Sequence, residues 1–185
     1  MKSVITHSAF VLTLLAAGSA MAADPYAGGS IVFLDADATD VRGADASLTG
    51  VTGRLGAMAN DNIGGEVRVT LGVGDDSVLS GVFETDVELN SMIGGYLRAG
   101  IPAGPSFYPY AILGFTRVEL EYSNPNFGNE SESDTDVSYG FGVDLSLDRN
   151  LSLNVEYMNY FDKDSDEISG FSIGIASKIF GIIHY

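Results

Sequence analysis

The chain has 185 residues, with 25 acidic against nine basic side chains, a formal net charge of −16 and no cysteine. That balance sets nucleic acid and anionic headgroups aside as partners of the chain as a whole, and the missing thiols remove disulfides, thiolate chemistry and a lipid-anchored cysteine. Hydrophobic residues still make up 45% of the sequence, yet past residue 22 no run reaches the roughly 18 apolar residues that a transmembrane helix needs.

Met1 to Ala22 has the form of a cleaved secretory signal peptide. Lys2 gives a positive start, Phe10 to Ala17 is an apolar centre, and Ala20-Met21-Ala22 is a small-x-small cleavage site. The expected mature unit is a single domain over residues 23–185. Its first strand candidate, Tyr26 to Leu34, is glycine-rich and irregular, and Asp35, Asp37, Asp40 and Asp45 then read as a solvated loop. Strand two, about Thr49 to Ala59, sets Val51, Leu55 and Ala57 against Thr52, Arg54 and Gly56, and Asn60-Asp61-Asn62 is a short turn. Strand three, Ile63 to Val73, alternates more cleanly, with Ile63, Val67, Val69, Leu71 and Val73 opposite Gly64, Glu66, Arg68, Thr70 and Gly72.

A second acidic loop covers Gly74 to Asp86. Strand four, Val87 to Ile101, puts Val87, Leu89, Ile93, Leu97 and Ile101 on one face and Glu88, Asn90, Gly94, Tyr96 and Arg98 on the other. After the turn Pro102 to Pro105, strand five, Tyr108 to Tyr122, sets Tyr108, Tyr110, Ile112, Val118, Leu120 and Tyr122 against Ala111, Leu113, Phe115, Arg117, Glu119 and Glu121. Ser123 to Asp136 is the third acidic loop. Val137 to Phe161 is the clearest unit: two strands of alternating apolar and small or polar residues broken by Asp148-Arg149-Asn150. Asp162 to Ser169 is the fourth acidic loop, and Phe171 to Tyr185 the last strand.

Eight strands therefore follow one another, joined alternately by long acidic and short turn-rich connections. That is the layout of an all-β, eight-stranded antiparallel up-and-down transmembrane β-barrel, in which closure removes the two exposed edges. Period-two alternation does not itself say which face is outside, because a soluble lipocalin-like barrel gives the same pattern inside out. Lipid is favoured by three features. On strands two to eight the apolar parity carries no charge. The other parity mixes bulk with a nearly balanced charge set: Arg54, Glu66, Arg68, Glu88, Arg98, Arg117, Glu119, Glu121, Asp144, Glu156 and Lys178, the pattern of a packed, salt-bridged lumen. Aromatics on the apolar parity gather near strand ends as two girdles, with Tyr108, Tyr110 and Tyr185 at the turn end and Tyr122, Tyr139, Phe161 and Phe171 at the loop end.

With this signal peptide, the segments PYAILGFTRVELEY and DVSYGFGVDLSLDRNLSLNVEYMNYFDKD, and a last strand ending in an aromatic, the chain resembles the small eight-stranded outer-membrane β-barrel proteins, the OmpA transmembrane-domain, OmpX and opacity-like group. The resemblance implies residence in the outer membrane, outer-membrane lipid and lipopolysaccharide as surroundings, and assembly by the barrel-assembly machinery through the C-terminal strand. It also implies a structural, adhesive or protective surface role. No peptidoglycan-binding segment follows the barrel, so wall anchoring is not implied.

Catalysis is not expected. His184 is the one histidine past the signal segment, at the turn end by this reading, with no nucleophile placed beside it. No cofactor is called for. Asp162-Lys163-Asp164-Ser165-Asp166 opens like a calcium loop, but Glu167 stands where glycine is required and Ile173 where a bidentate Glu belongs. The acidic loops are left as weak sites for divalent cations or for a surface ligand. A small-solute, porin-like channel is the remaining alternative, and an eight-stranded lumen filled by side chains argues for little conductance.

Overall fold

The computed structural model describes residues 24–38, 44–73, 75–80, 83–124, 128–163 and 166–179. The expected signal peptide, Phe180, His184 and Tyr185 lie outside them. Among the described residues nine strands run in chain order: β1 Asp24–Ala38, β2 Ala44–Met58, β3 Ile63–Gly72, β4 Asp75–Ser80, β5 Phe83–Gly100, β6 Phe107–Asn124, β7 Gly128–Ser146, β8 Leu151–Lys163 and β9 Asp166–Lys178. Neighbours pair antiparallel in the order β3-β2-β1-β9-β8-β7-β6-β5-β4, and a β3–β5 ladder from Ile63↔Ala99 to Leu71↔Ser91 closes the ring. β4 carries on where β3 stops, along the same side of β5 with the register offset by one residue, so the barrel has eight strands.

The three short turns at one end are tight. Asn60 Oδ1 accepts the N–H groups of Asn62 (2.8 Å) and Ile63 (2.9 Å), and Asn62 Nδ2 donates to the Gly100 carbonyl at 2.8 Å, tying two turns together. Gly104, with φ of 135°, supplies the left-handed step between Ile101 and Ser106 that an L side chain resists. The other end departs from expectation. The four acidic segments read as loops are mostly ladder: β1–β2 pair up to Ala38↔Ala44, β4–β5 to Ser80↔Phe83, β6–β7 to Asn124↔Gly128 and β8–β9 to Lys163↔Asp166. Outside lipid a strand needs hydrogen-bond partners but no apolar face, so polar residues continue it without alternating. The 19 residues of β7, at about 3.3 Å each, run well beyond an apolar band of about 25 Å.

Two bulges reset the faces. One lies between Leu89 and Ser91 on β5 and one between Asn159 and Phe161 on β8. An extra residue on one strand flips every side chain beyond it. Leu89, expected outward, is therefore buried, and Phe161 is turned toward Ile168, which is buried on the regular inward row of β9 with Gly170 and Ser172.

The faces of β6 are the reverse of those expected. Tyr110, Ile112 and Val118 are buried, whereas Leu113 and Phe115 are more than half exposed on the outer wall. Both parities of this strand are apolar, so the charges Arg117 and Glu119 decided the expectation. They stand above the lipid-facing rows, where an outward charge meets water.

Candidate functional site

The inside of the barrel has two storeys. Toward the extended hairpins, Val32, Leu34, Leu48, Leu89, Met92, Val118, Met158, Tyr160 and Ile168 form a dry cluster, with Val32 and Met158 0% exposed. Toward the short turns, the inward positions carry charge. Arg68 on β3 donates through Nε to Glu66 and through Nη1 and Nη2 to Glu156 on β8, the last bond at 2.9 Å. Tyr26 donates to Glu66 at 2.6 Å and Tyr110 to Glu156 at 2.8 Å. Below them Arg98 pairs with Asp144, whose other oxygen accepts Asn154 Nδ2 at 2.7 Å.

Small residues make room for this network. A Cβ on Gly56 would lie 2.4 Å from the Tyr26 ring, and one on Gly142 would lie 2.5 Å from the Tyr110 hydroxyl. Each tyrosine therefore lies over a glycine of the adjacent strand, a large-on-small match that lets the sheet curve. The rings also hold cations: the Arg98 guanidinium is 3.6 Å from the Tyr110 centroid, and that of Arg68 is 5.0 Å from Tyr96. Above, hydroxyls chain from Tyr96 to Thr116 (2.6 Å), to Ser138 (2.6 Å) and on to the Tyr160 carbonyl (3.0 Å).

Charge taken from water needs a counter-charge and hydrogen bonds. Three guanidiniums, Arg54, Arg68 and Arg98, face three carboxylates, Glu66, Glu156 and Asp144, so the interior is formally neutral. The bonding is uneven. Arg68 engages two carboxylates, while buried Arg54, opposite it on β2, has no hydrogen-bond partner for Nε or Nη2. At the turn end a cavity of about 390 Å³ opens, lined by residues including Tyr26, Asp61, Arg98, Tyr108, Asp144 and Lys178. Its lining reaches the Arg98–Asp144 pair.

Of the expected lumen charges, Arg54, Glu66, Arg68, Arg98 and Glu156 are buried together, with Asp144 at their edge. Three others are not there. Arg117 is exposed and donates to Ser133 at 2.9 Å, Glu119 is half-buried in the same hairpin, and Lys178 sits at the turn-end rim, 3.8 Å from Asp24. Glu88 and Glu121 face each other in the β5–β6 ladder above the β5 bulge, and their side chains lie outside the described residues.

Of the expected girdle, Tyr139 and Phe171 point outward. Tyr110 is inside, Tyr108 is half-buried with Arg98 5.2 Å from its ring, and Phe161 packs against the dry cluster because the β8 bulge turns it in. The Tyr122 side chain and Tyr185 are outside the described residues. Outward aromatics beyond the expected girdle include Phe33, Phe115, Phe141 and Tyr157. Phe33 pairs with Phe171, Phe171 with Tyr157 and Tyr157 with Phe141, a continuous row across four strands. On β1, β6, β8 and β9 the signal lay in the last outward apolar position before the polar residues begin, whereas on β7 Tyr139 and Val137 stand above Phe141. Among the described residues, no group of three or more His, Asp or Glu side chains is placed to hold a metal ion.

The outer wall settles what surrounds the barrel. Ile31, Phe33, Val51, Leu55, Leu71, Leu97, Leu113, Phe115, Phe141 and Ile173 are all 42% exposed or more, with the ionic groups enclosed. Water would reverse that arrangement, whereas hydrocarbon stabilises it, and so the molecule is of the class that crosses a membrane with strands. Among the described residues no helix is long and apolar enough to cross one.

The chain belongs to the outer membrane protein beta-barrel domain family, whose model matches residues 8–178, and it resides in the cell outer membrane. Several solved structures share its fold. Ail, the attachment invasion locus protein of Yersinia pestis, seen in complex with the heparin analogue sucrose octasulfate, superposes with a TM-score of 0.63 at 15% identity, covering 86% of this chain and 100% of its own. Neisserial surface protein A gives 0.63 at 14% identity, over 84% and 97% of the two chains. OprG from Pseudomonas aeruginosa gives 0.61 at 15%, over 87% and 98%. Identities this low speak for the fold alone. The curated proteins give no match.

Proposed function

We propose that the protein is a non-enzymatic outer-membrane barrel whose role is structural or surface-interacting, adhesin-like, and carried by the acidic hairpins on the side of the long connections. The observation that carries this reading is the contrast between a filled interior and long hairpins that stand clear of the lipid band. A solute would have to displace both the dry cluster and the Arg68–Glu66–Glu156 bonds to pass, which sets the porin-like alternative behind. Arg68, Glu66 and Glu156 are bonded to one another, a bracing role that the non-enzymatic reading assigns to the buried charges.

Removal of Met1 to Ala22 on export, lipopolysaccharide as the outer-leaflet neighbour, and delivery to the barrel-assembly machinery through the C-terminal strand complete the proposal. The relative crystallised with a polysulfated ligand is Ail. The hairpins here carry Glu130, Glu132, Asp134 and Asp136 on β7, so a polyanion is repelled and a cationic surface is the favoured partner.

Comparing adhesion and envelope integrity in cells with and without the gene tests the reading. A loss of attachment that is restored by the intact gene is expected. Large, stable single-channel currents from the purified protein in planar bilayers would move it to the channel class instead.

A further inference from the structure

Two of the three buried guanidiniums have unused donors, and both stand at or beside the turn-end cavity. Arg98 lines the cavity and is 4% exposed; its Nη2 holds Asp144, while its Nε has no hydrogen-bond partner. Arg54 is also 4% exposed, and neither its Nε nor its Nη2 has a partner. Those two groups form one edge of the guanidinium, the parallel pair of N–H donors that grips a carboxylate. Arg54 on β2, Gly28 on β1 and Ala176 on β9 stand in one row across three strands, and Ala176 belongs to the cavity wall. A Cβ on Gly28 would lie 3.0 Å from Arg54 Nε and 3.1 Å from Ala176 Cα. The glycine thus keeps side-chain bulk out of the space between that fork and the cavity.

A buried donor pair without an acceptor weakens the fold, and whatever supplies the acceptor gains what folding left unmade. The carboxylates of the lumen are engaged elsewhere: Glu66 and Glu156 bond Arg68, and Asp144 bonds Arg98 and Asn154. Water would meet the donors of Arg54, whereas an anion also meets the charge of a guanidinium that has no carboxylate of its own.

Charge and space say which anion. Asp144 borders the cavity and exposed Asp61 stands at its mouth, while Lys178 and Asp24 offset each other there at 3.8 Å. A single negative charge is matched by Arg54, but phosphate carries more near neutral pH and is set against those acids. A volume of about 390 Å³ leaves room for an organic body behind the anionic group, and Met58, Pro102, Tyr26 and Tyr108 give that body apolar and aromatic walls.

We propose that the turn-end cavity is a binding site for a small organic monocarboxylate, whose carboxylate is taken by the Nε–Nη2 fork of Arg54 with Arg98 beside it. No hydrogen bond holds that edge of Arg54, so the side chain turns toward the cavity without breaking one there. The site lies at the end of the barrel away from the acidic hairpins and does not depend on the surface-interaction reading.

The test uses the mature protein with ¹⁵N-labelled arginine in uncharged detergent micelles at neutral pH. Benzoate and butyrate are titrated as an aromatic and an aliphatic carboxylate, with benzamide as the uncharged analogue of the first and inorganic phosphate as a second anion. The Arg54 Nε–H signal, identified by its absence in Arg54→Met, is expected to shift saturably with at least one of the two carboxylates. Benzamide is expected to bind at least about tenfold more weakly than benzoate, and phosphate several-fold more weakly. By calorimetry, Arg54→Met is expected to lose at least about tenfold in carboxylate affinity while remaining folded by heat-modifiability on gels. Asp61→Asn removes the acid at the mouth and is expected to tighten carboxylate binding about twofold at low salt, a gain that a merely structural change does not give. An Arg54 signal unmoved by both carboxylates at about 50 mM would leave the fork to water and overturn the site. Benzamide binding as well as benzoate, or Arg54→Met binding as well as the parent, would overturn it too, by reducing it to an apolar pocket. Phosphate binding as tightly as the carboxylates would overturn the assignment to a monocarboxylate.

Discussion

The two storeys of the lumen fill the same cross-section by different physics. The hairpin-side storey is apolar and dry, held by close packing of Val32, Met92, Met158 and their neighbours. The turn-side storey is ionic and ends in an open cavity, held by directed bonds in which Arg68 and Glu156 are the centre. Packing degrades by degrees when an atom is lost, whereas a buried ion pair fails abruptly, because the abandoned partner keeps its charge and has no water to turn to. The barrel thus places its most brittle interaction where solvent from the turn end is nearest, and seals the other side with its most forgiving one.

The largest effect is expected where that contrast is sharpest. Arg68→Met leaves Glu66 and Glu156 buried without their cation and should cost about 3–5 kcal/mol in reversible urea unfolding from lipid or micelles. Arg54→Met removes an equally buried guanidinium whose Nε and Nη2 bond to nothing, and should cost less than about 1 kcal/mol. Equal losses would mean that the ionic storey works through net charge rather than through particular bonds.

In the dry storey, Met158→Ala should cost about 2–4 kcal/mol through the cavity it leaves, without opening a steady current in planar bilayers. A glycine pair separates inward packing from outward freedom. Gly142→Ala drives a methyl group toward the Tyr110 hydroxyl and the Val155 carbonyl and should cost about 1–3 kcal/mol. Gly95→Ala meets nothing within 4 Å and should be neutral or stabilising by up to about 1 kcal/mol. The smallest change is expected at the rim. Lys178→Ala breaks an exposed 3.8 Å contact with Asp24, and the unfolding midpoint should stay within about 0.5 kcal/mol of the parent.

How legible the molecule is in its sequence depends on where one looks. The β7–β8 hairpin can be read directly, because its outward residues are apolar and its inward ones, Ser138, Asn154 and Glu156, are not. The same contrast on β2 and β3 exposes Arg54, Glu66 and Arg68 as inward residues. β6 defeats that reasoning, since Tyr110 and Ile112 on one face are as apolar as Leu113 and Phe115 on the other. Tyr110 is indeed lumenal, but it is there as a hydrogen-bond donor that reaches over Gly142 to Glu156 two strands away, a relation that no pattern within β6 carries. Leu89 and Phe161 turn inward because of single-residue bulges, which alter parity without altering composition. The acidic stretches look like loops for the opposite reason: their strand character is supplied by a neighbour's backbone rather than by their own side chains.

Residue order alone determined that this chain makes strands of alternating character, that it needs eight of them in the barrel, and that apart from β6 the uncharged side faces lipid, because period two and the placement of charge are properties of each strand separately. Closure through β3 and β5, the pairing of Arg68 with carboxylates from two strands and the reversal on β6 were decided only in three dimensions. Each depends on which backbone lies alongside, at what register, and where the ladder between them stops.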